Sequence, residues 1–278
     1  MESTVLRIHC DDRPGLVHKI TGVLYRHQLN IISNDEFVER IENHFFMRTE
    51  FSGAFDRDAI LAELSQVLPK DIDITLNNGN RRDIVIFASK EYHCLSDLLI
   101  RQSFAELNAN VCCVISNHNN LQELTEKFNV PFHYVSHEGK SREAQESEIQ
   151  NLIVQYNPEF LVLAKYMRVL SPGFVSNFSN RIINIHHSFL PAFVGANPYT
   201  QAYERGVKII GATAHFVNDN LDEGPIIAQS VIPVGHSQSA KEMALAGKDV
   251  EKIVLARALK LVLEDRVFVY KNKTIIFD

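Results

Sequence analysis

Hydrophobic and polar positions follow two different periods along this chain of 278 residues. Within residues 1–80, runs that alternate with period two surround two segments whose apolar residues recur every three to four positions. These periods are typical of half-buried strands and amphipathic helices, so the predicted order is βαββαβ. The strands are predicted at Val5–His9, Asn30–Val38, His44–Phe51 and Asp73–Leu76, and the helices at Leu16–His27 and Asp56–Leu68.

A polar stretch that contains a glycine, 77–82, follows and is typical of a linker. Beyond it, apolar runs of strand length alternate with helical segments, which favours a doubly wound, mostly parallel sheet with helices on both faces. Its predicted strands are Ile84–Ala88, Asn110–Ser116, Phe132–Val135, Phe160–Ala164 and Arg181–Ile185, and its helices are Ser96–Leu107, Leu121–Phe128 and Ser141–Gln155. We therefore expect an α/β protein of two domains, residues 1–80 and residues 81–278.

Composition and charge fit a globular enzyme. The chain is 45% hydrophobic and 22% charged, and its net charge of -6 comes from interspersed signs without a basic stripe, so nucleic acid is not an expected partner. No run approaches the ~20 apolar residues of a membrane span, and Met1-Glu2-Ser3-Thr4 does not begin like a signal peptide. The expected location is cytoplasmic. The four cysteines have no metal-ligand spacing, so we expect free thiols without disulfides or zinc.

Three polar residues near the strand at 181–185 could carry acyl chemistry. Alternation places Asn184 and His186 on one side of the strand and Ile185 on the other. An amide can donate to a developing oxyanion, an imidazole can move a proton, and a carboxylate such as Asp222 can orient the imidazole or a water. Each also has an ordinary alternative, since a lone histidine is often a hydrogen-bonded structural residue and an aspartate before Glu-Gly-Pro is often a turn residue.

The surrounding motifs resemble one family. Asn184-x-His186 with Ser188-x-Leu190-Pro191, Gly211-x-Thr213-x-His215-Phe216-Val217, and Asp222-x-Gly224-Pro225-Ile226-Ile227 are similar to the motifs of the folate-dependent formyltransferase and deformylase superfamily. The resemblance implies a catalytic role for Asn184, His186 and Asp222. It also implies a folate pocket, formed by Met167, Arg168, Val169, Leu170, Asn218 and Asp219. Folate is the substrate in this family, so we expect no further cofactor and no metal.

The first unit resembles an ACT regulatory domain, by its βαββαβ order and by the residues at its first turn and second strand. The resemblance implies that an amino-acid effector binds at Asp12, Arg13, Pro14, Gly15, Leu16, Val17 and Asn30. Glycine and methionine are the expected effectors because they lie on either side of the one-carbon pool. ACT domains usually pair, so a homo-oligomer, either a dimer or a tetramer, is expected. The alternative is that this unit only drives assembly and that its Asp-Arg-Pro-Gly turn only caps a helix.

The turn after the first strand of the second unit bears on the formyl acceptor. Family members that formylate glycinamide ribonucleotide have a glycine-rich turn there, whose N–H groups bind phosphate. This chain has Ser89-Lys90-Glu91-Tyr92-His93-Cys94-Leu95 without a glycine, and bulky side chains obstruct close approach to a phosphate. It also has His187 and Val194 where such transferases have a proline and a basic residue, and alternation points His187 away from His186. Asn197 has no role that we can derive.

A regulatory unit joined to this catalytic domain resembles the deformylase branch of the superfamily over the whole chain. The resemblance implies a hydrolase that cleaves the formamide C–N bond of 10-formyltetrahydrofolate, yields tetrahydrofolate and formate, and balances the one-carbon pool for purine biosynthesis. Two alternatives stay open from the sequence. One is a formyltransferase with an amine acceptor, and the other is a catalytically silent regulator that binds folate or amino acids.

Overall fold

A computed structural model describes residues 3–70, 72–192 and 198–278. The chain divides into two compact units, one of Met1–Asn80, Glu264–Phe268 and Phe277–Asp278 and the other of Arg81–Leu263 and Val269–Ile276. The sequence places all of 81–278 in one domain, whereas the structure assigns the short segments 264–268 and 277–278 to the first unit. Among the described residues, no helix is both long and apolar enough to cross a membrane.

The first unit has the ACT fold, with the βαββαβ order that the hydrophobic pattern predicts. Its elements are β1 (Thr4–Asp11), α1 (Leu16–Arg26), β2 (Asn30–Glu39), β3 (His44–Ser52), α2 (Arg57–Val67) and β4 (Asp73–Asn77). The strands form an antiparallel sheet in the order β2-β3-β1-β4. Its core contains Ile8, Ile20, Leu24, Met47 and Leu64, all at most 1% exposed. The two helices bury their apolar faces in this core, as amphipathic helices do on a half-buried sheet.

Two arginines of the first unit hold the segment 264–268. The Arg7 side chain donates to the Val267 carbonyl oxygen at 2.5 Å, lies 3.6 Å from an Asp265 oxygen and places its guanidinium 4.3 Å from the centre of the Phe268 ring. Arg48, only 3% exposed, donates to the Glu264 carbonyl oxygen at 3.2 Å. Because a buried guanidinium must have partners to offset its lost hydration, these contacts explain why the segment belongs to this unit.

The second unit is an α/β domain, built on a seven-stranded sheet. Its first part runs through β5 (Arg82–Ala88), α3 (His93–Ser103), β6 (Ala109–Ser116), α4 (Gln122–Glu126), β7 (Phe132–Tyr134), α5 (Arg142–Tyr156), β8 (Phe160–Leu163), α6 (Pro172–Ser176) and β9 (Ile182–His186). It continues with α7 (Pro198–Arg205), β10 (Ile209–Phe216), β11 (Ile226–Pro233), α8 (Ala240–Leu263), β12 (Val267–Tyr270) and β13 (Lys273–Ile276), of which β12 and β13 form a separate two-stranded sheet.

The order of the main sheet is β11-β10-β9-β8-β5-β6-β7. Strands β9 to β7 of this order are parallel, as predicted, and β10 and β11 are antiparallel additions at one edge. Since the chain leaves β5 for β6 on one side and later returns to β8 on the other, the topological switch lies between β5 and β8. Ligands of such sheets bind at the carboxyl ends of the strands beside this point.

Helix α3 begins at His93, three residues before the predicted start at Ser96. His93 and Cys94 form the first turn of the helix, ahead of the predicted start. Both are buried, at 4% and 0% exposure, so tertiary contacts determine where this helix begins.

We predict that Gly211→Ala destabilises the second unit by about 1–3 kcal/mol, the usual cost of overpacking. A Cβ at Gly211 would lie 2.3 Å from the Ser230 carbonyl oxygen on the neighbouring strand and 2.9 Å from Val231 Cγ1. Urea denaturation followed by circular dichroism measures the change. Gly173→Ala is the matched control, because a Cβ there meets nothing within 4 Å. Equal stability of the two variants would contradict the prediction.

Candidate active site

A cavity of about 830 Å³ lies at the carboxyl ends of the strands in the second unit. Segments that follow β5 and β8 line it, as the position of the topological switch predicts. Its volume is within the range of ligand sites for molecules of drug or cofactor size. Asn184, His186 and Asp222, the three residues singled out in the sequence, all line this cavity.

Strand β9 delivers Asn184 and His186. Its pairing with β10 places His215 opposite Asn184 and Thr213 opposite His186. The Thr213 hydroxyl donates to the Ser188 carbonyl oxygen at 2.9 Å and accepts the Leu190 N–H at 3.0 Å. One buried hydroxyl therefore fixes the turn that follows the strand, which explains the threonine in the Gly211-x-Thr213 motif.

Asp222 arrives from the loop between β10 and β11. Its side chain is 11% exposed, and its Oδ2 lies 3.3 Å from Nδ1 of His186. The backbone of Asp222 has a φ of 58°, in the left-handed region that few residues other than glycine adopt. Such a conformation persists only where the surroundings impose it, and it is common at functional sites.

Gly224 makes this loop conformation possible. A Cβ at that position would lie 1.8 Å from the Phe216 carbonyl oxygen, so only glycine allows the loop to fold against the end of β10. On its other side the loop is bonded to the β12–β13 hairpin, since Asn272 donates to the Glu223 carbonyl oxygen at 2.9 Å and Thr274 to that of Ile226 at 2.6 Å.

The hydrogen-bonding state of His186 suits contact with a ligand. Nδ1 faces the Asp222 carboxylate, whereas Nε2 is buried and has no hydrogen-bond partner among the described residues. A buried nitrogen without a partner is costly, so it calls for a polar group of a ligand or a water. Burial favours the neutral acid at Asp222, but the hydrogen bond and charge of His186 outweigh it and lower the pKa of the Asp222 carboxyl. Asp222 is therefore ionised at neutral pH.

His215 positions Asn184, a role that the sequence analysis did not assign. Burial lowers the pKa of His215, so the ring is neutral near pH 7. Its Nδ1 lies 2.8 Å from the Phe216 carbonyl oxygen and therefore carries the proton, which leaves Nε2 as an acceptor for the Asn184 amide at 3.2 Å. The second N–H of Asn184 remains for the cavity. The only sequence signal for this role is that His215 stands in the second motif.

Strand alternation predicts that His187 points away from His186, and this prediction is wrong. Strand β9 ends at His186, so the alternation no longer applies, and the two rings stack with centroids 5.1 Å apart. Burial, followed by the charges of Lys165 and His186, lowers the pKa of His187 to about 4. His187 is thus a neutral wall of the cavity beside His186.

The residues expected to bind folate line another part of the cavity. Met167, Arg168, Val169 and Leu170 follow β8, and Asn218 and Asp219 belong to the loop that carries Asp222. Met167, Val169 and the neighbouring Leu221 expose 62%, 51% and 58% of their surface. Large apolar side chains left open beside a few polar groups suit a flat ring system that brings its own donors and acceptors. The structure thus gathers all six expected residues around one cavity.

One group of described residues has the spacing of metal ligands, namely His93, Cys94 and Glu251. Their environment does not suit a cation. Lys165 Nζ lies 3.2 Å from Glu251 and already balances its charge, and burial raises the pKa of the Cys94 thiol. Val194 and Asn197, which the sequence analysis also discussed, lie outside the described residues.

Six of the seven residues expected to bind an effector, Asp12 to Val17, are consecutive at the turn between β1 and α1. Asn30 lies at the opposite end of the sheet, because it pairs with Ser52, whereas Asp11 beside the turn pairs with His44. Asp12 to Gly15 form the turn between β1 and α1, and the Asp12 N–H donates to the Asn43 carbonyl oxygen at 2.8 Å. Gly15, with a φ of 84°, is the N-cap of α1, and no side chain caps this helix. Leu16 is buried in the core, so its side chain packs there, while Asn30 is exposed at the start of β2.

Comparison with known proteins identifies relatives of both units. The formyl transferase family matches residues 82–259, and the ACT domain matches residues 4–69. The chain is 53% identical to formyltetrahydrofolate deformylase of Haemophilus influenzae over 276 residues, which is 99% of each chain. It is 41% identical to a formyltetrahydrofolate deformylase from Pseudomonas syringae of known structure, with a TM-score of 0.97 over 100% of this chain and 95% of that chain. Glycinamide ribonucleotide transformylase 1 from Symbiobacterium toebii is 28% identical, with a TM-score of 0.69 over 74% of this chain and 98% of that chain.

We predict that His187 titrates with a pKa of about 4 in NMR spectra of the histidine ring nitrogens. Lys165→Met should move this value upward, because it removes a cation that opposes protonation of the ring. A His187 that titrates in the ordinary range for histidine in the unmodified protein would contradict the described burial of its ring.

Proposed function

The chain belongs to the formyl transferase family, and within it to the formyltetrahydrofolate deformylases, and we propose that Asn184, His186 and Asp222 carry out the hydrolysis of 10-formyltetrahydrofolate that defines this enzyme. The observation that carries the assignment of these residues is their convergence in one cavity, where Nε2 of His186 is buried and has no hydrogen-bond partner in the part of the chain that the structure describes. A formyl oxygen at this nitrogen would supply the missing partner.

In the proposed mechanism, the Asp222 carboxylate orients or deprotonates a water that attacks the formyl carbon. The Asn184 amide and protonated His186 donate to the oxyanion that develops on the formyl oxygen. The C–N10 bond then breaks, N10 receives a proton, and formate and tetrahydrofolate leave. Asp222 also stabilises the charge on His186, since the two groups are 3.3 Å apart. The protein groups account for each step, so the mechanism invokes neither a metal nor a cofactor beyond the folate substrate.

His215 and Gly224 support this mechanism from a distance. The neutral His215 ring holds the Asn184 amide in the orientation that presents an N–H to the oxyanion. Gly224 lets the loop bring Asp222 to His186. Preorganised groups of this kind stabilise the transition state because they do not reorient during the reaction.

We propose that the folate ring lies against the segment 167–170 and that Asn218 and Asp219 close the opposite side. The support is the position of both segments on the wall of the cavity, with exposed apolar side chains between polar groups. Backbone amides and carbonyls at strand ends are rigid and already aligned, which suits recognition of a heterocycle that is rich in donors and acceptors.

We predict that Asp222→Asn abolishes formate release from 10-formyltetrahydrofolate and leaves folate binding largely intact, because the change keeps the shape of the side chain and removes its charge. Asn184→Ala should slow turnover by about 10²–10³, the usual cost of losing one oxyanion donor. Assays of formate release measure the turnover of both variants, and calorimetry measures the folate binding of Asp222→Asn.

Glu223→Gln is the matched control for Asp222→Asn, because Glu223 is exposed on the same loop and does not line the cavity. The double variant Asn184→Ala and His186→Ala should lose less than the product of the two single losses, as residues that act as a unit do. Turnover of Asp222→Asn within a few-fold of the unmodified enzyme would refute the assigned role. Formate that appears only when an amine is added would favour a formyltransferase instead.

We further propose that the first unit senses glycine and methionine near Asp12 to Val17 and that its copies pair in a dimer or a tetramer. Helix α1 begins at an exposed turn without a capping side chain, so its first N–H groups and the positive end of its dipole suit an amino-acid carboxylate. The ACT family match supports an amino-acid effector in general.

We predict that glycine and methionine change deformylase activity in opposite senses, with a coupling of about 1–3 kcal/mol. Gly15→Asp should abolish the response of the enzyme to these amino acids. A carboxylate at the N-cap of α1 would occupy the N–H groups of its first turn and repel the carboxylate of the ligand. Gly139→Asp is the control, since both glycines have positive φ and open space. Calorimetry measures the binding of each amino acid, and rate measurements give its effect on deformylase activity. If neither amino acid binds at millimolar concentration, the unit serves only in assembly.

A further inference from the structure

One end of the cavity contains a buried ionic cluster that the deformylase mechanism does not use. Glu251 of α8, at 1% exposure, accepts hydrogen bonds from His93 at 2.8 Å and from the Tyr199 hydroxyl at 2.7 Å, and Lys165 Nζ lies 3.2 Å away. Burial opposes ionisation of Glu251, but these partners outweigh it and lower the pKa of its carboxyl to about 2. We call this part of the cavity the acceptor arm, defined by Glu91, His93, Lys165, Tyr199, Lys248 and Glu251.

The acceptor arm occupies the place where sheets of this type commonly bind anions. The turn after the central strand β5 leads into the N-terminus of α3, whose free N–H groups would ordinarily face a phosphate. Here the first residue of that helix, His93, is buried against Glu251, and the Glu91 carboxylate lies 2.6 Å from Lys248 Nζ. An anion that approached this helix would meet two carboxylates whose cationic partners are already engaged.

Tyr199 packs directly against α8 because that helix has a glycine, Gly247, beside the ring. A Cβ at Gly247 would lie 2.0 Å from the Tyr199 hydroxyl oxygen and 2.3 Å from its Cζ. Glycine within a helix costs about 1 kcal/mol relative to alanine, and the space for the Tyr199 ring accounts for its presence. The ring is therefore packed against the helix backbone and forms one wall of the arm.

The arm extends as far as the reacting groups. The Tyr199 ring lies 6.3 Å from the His187 ring, which stacks on the proposed catalytic His186. Lys165, with a φ of 62°, holds a left-handed backbone conformation that is unusual for a residue with a side chain, and it directs its ammonium group to Glu251. The geometry of the cluster is therefore strongly imposed, beside the place where the formyl carbon must be attacked.

We propose that the acceptor arm makes water the formyl acceptor, because Tyr199 and the His93–Glu251 pair occupy the space in which an amine acceptor would have to lie. This inference rests on the proposed deformylase function. In hydrolysis the formyl carbon exchanges its bond to N10 for a bond to a water oxygen. In transfer it would gain a bond to the amine nitrogen instead, and in both reactions a proton of the nucleophile ends on N10.

The transformylase relative supports a difference of this kind, because the same fold serves an enzyme that its name assigns to an amine substrate with a phosphate. Selection of the acceptor therefore depends on side chains that the fold accommodates and not on the fold itself. Specificity for water needs elements that reject larger nucleophiles, since a site open to amines would also admit water.

The test measures how the formyl group divides between water and an added amine. The enzyme is incubated with 10-formyltetrahydrofolate and glycinamide as the amine, and formate, tetrahydrofolate and N-formylglycinamide are quantified. The unmodified enzyme should release formate equal to the tetrahydrofolate formed. Tyr199→Ala should raise the ratio of formylated amine to formate by at least about tenfold, the discrimination that steric exclusion usually provides.

Gly247→Ala is an independent variant, because its Cβ displaces the Tyr199 ring without changing any group of the arm. It should shift the same ratio in the same direction. Tyr203→Ala is the matched control, since Tyr203 lies on the same helix, is 48% exposed and does not line the cavity. Its product ratio should equal that of the unmodified enzyme.

An unchanged product ratio in both Tyr199→Ala and Gly247→Ala, with formate still released, would overturn this inference and leave the deformylase function intact. If the unmodified enzyme releases no formate, the proposed function itself fails, so the two failures are distinguishable. Product ratios are independent of how much active enzyme each variant yields, and a partial loss of stability therefore does not obscure the result.

Discussion

The contact between Asp222 and His186 depends on how closely the loop after β10 approaches the strand that precedes it. At Gly224 the approach leaves no room for a Cβ, since the Phe216 carbonyl oxygen would be 1.8 Å away. A larger residue would push the loop outward and take the carboxylate from the imidazole. Asp222 has a left-handed backbone conformation in the same loop, and its side chain lies 3.3 Å from His186. The rest of the site is arranged around this pair.

A buried polar group without a partner destabilises the folded state, and most buried polar side chains near the cavity have hydrogen-bond or ionic partners. His215 bonds to Asn184 on one side and to the Phe216 carbonyl oxygen on the other, so its neutral ring has a partner at each nitrogen. Glu251 has a cation and two hydrogen-bond donors. Two ring nitrogens of residues that line the cavity, His186 Nε2 and His93 Nδ1, are buried without a hydrogen-bond partner among the described residues. Unsatisfied buried groups of this kind call for a polar group of a ligand or a water, and the one on His186 is beside Asp222.

The sheet order explains why these groups come from such distant parts of the chain. Residues after β5, β8 and β9 meet at one edge because parallel strands end on the same side. Strand β10 runs in the opposite direction, so the loop after it must turn back to bring Asp222 to His186. Helix α8 then brings Lys248 and Glu251 to the cavity. A site made from separate elements of a rigid sheet holds its geometry more firmly than one made from a single loop.

The sequence by itself determined the βαββαβ order of the first unit and the parallel strands of the second, because periodicity is a property of neighbouring residues. Its local motifs also singled out Asn184, His186 and Asp222 as candidates, and the structure places the three in one cavity. It also limited the acceptor, through the absence of glycine in the segment 89–95. Tertiary structure alone decided the orientation of His187, the early start of α3, the support of Asn184 by His215 and the clustering of Lys165 with Glu251. These features depend on residues that lie far apart in the chain, such as His93 and Glu251. Such buried polar groups pair because water is not there to hydrate them, and pairs of this kind produce no periodic pattern in the sequence.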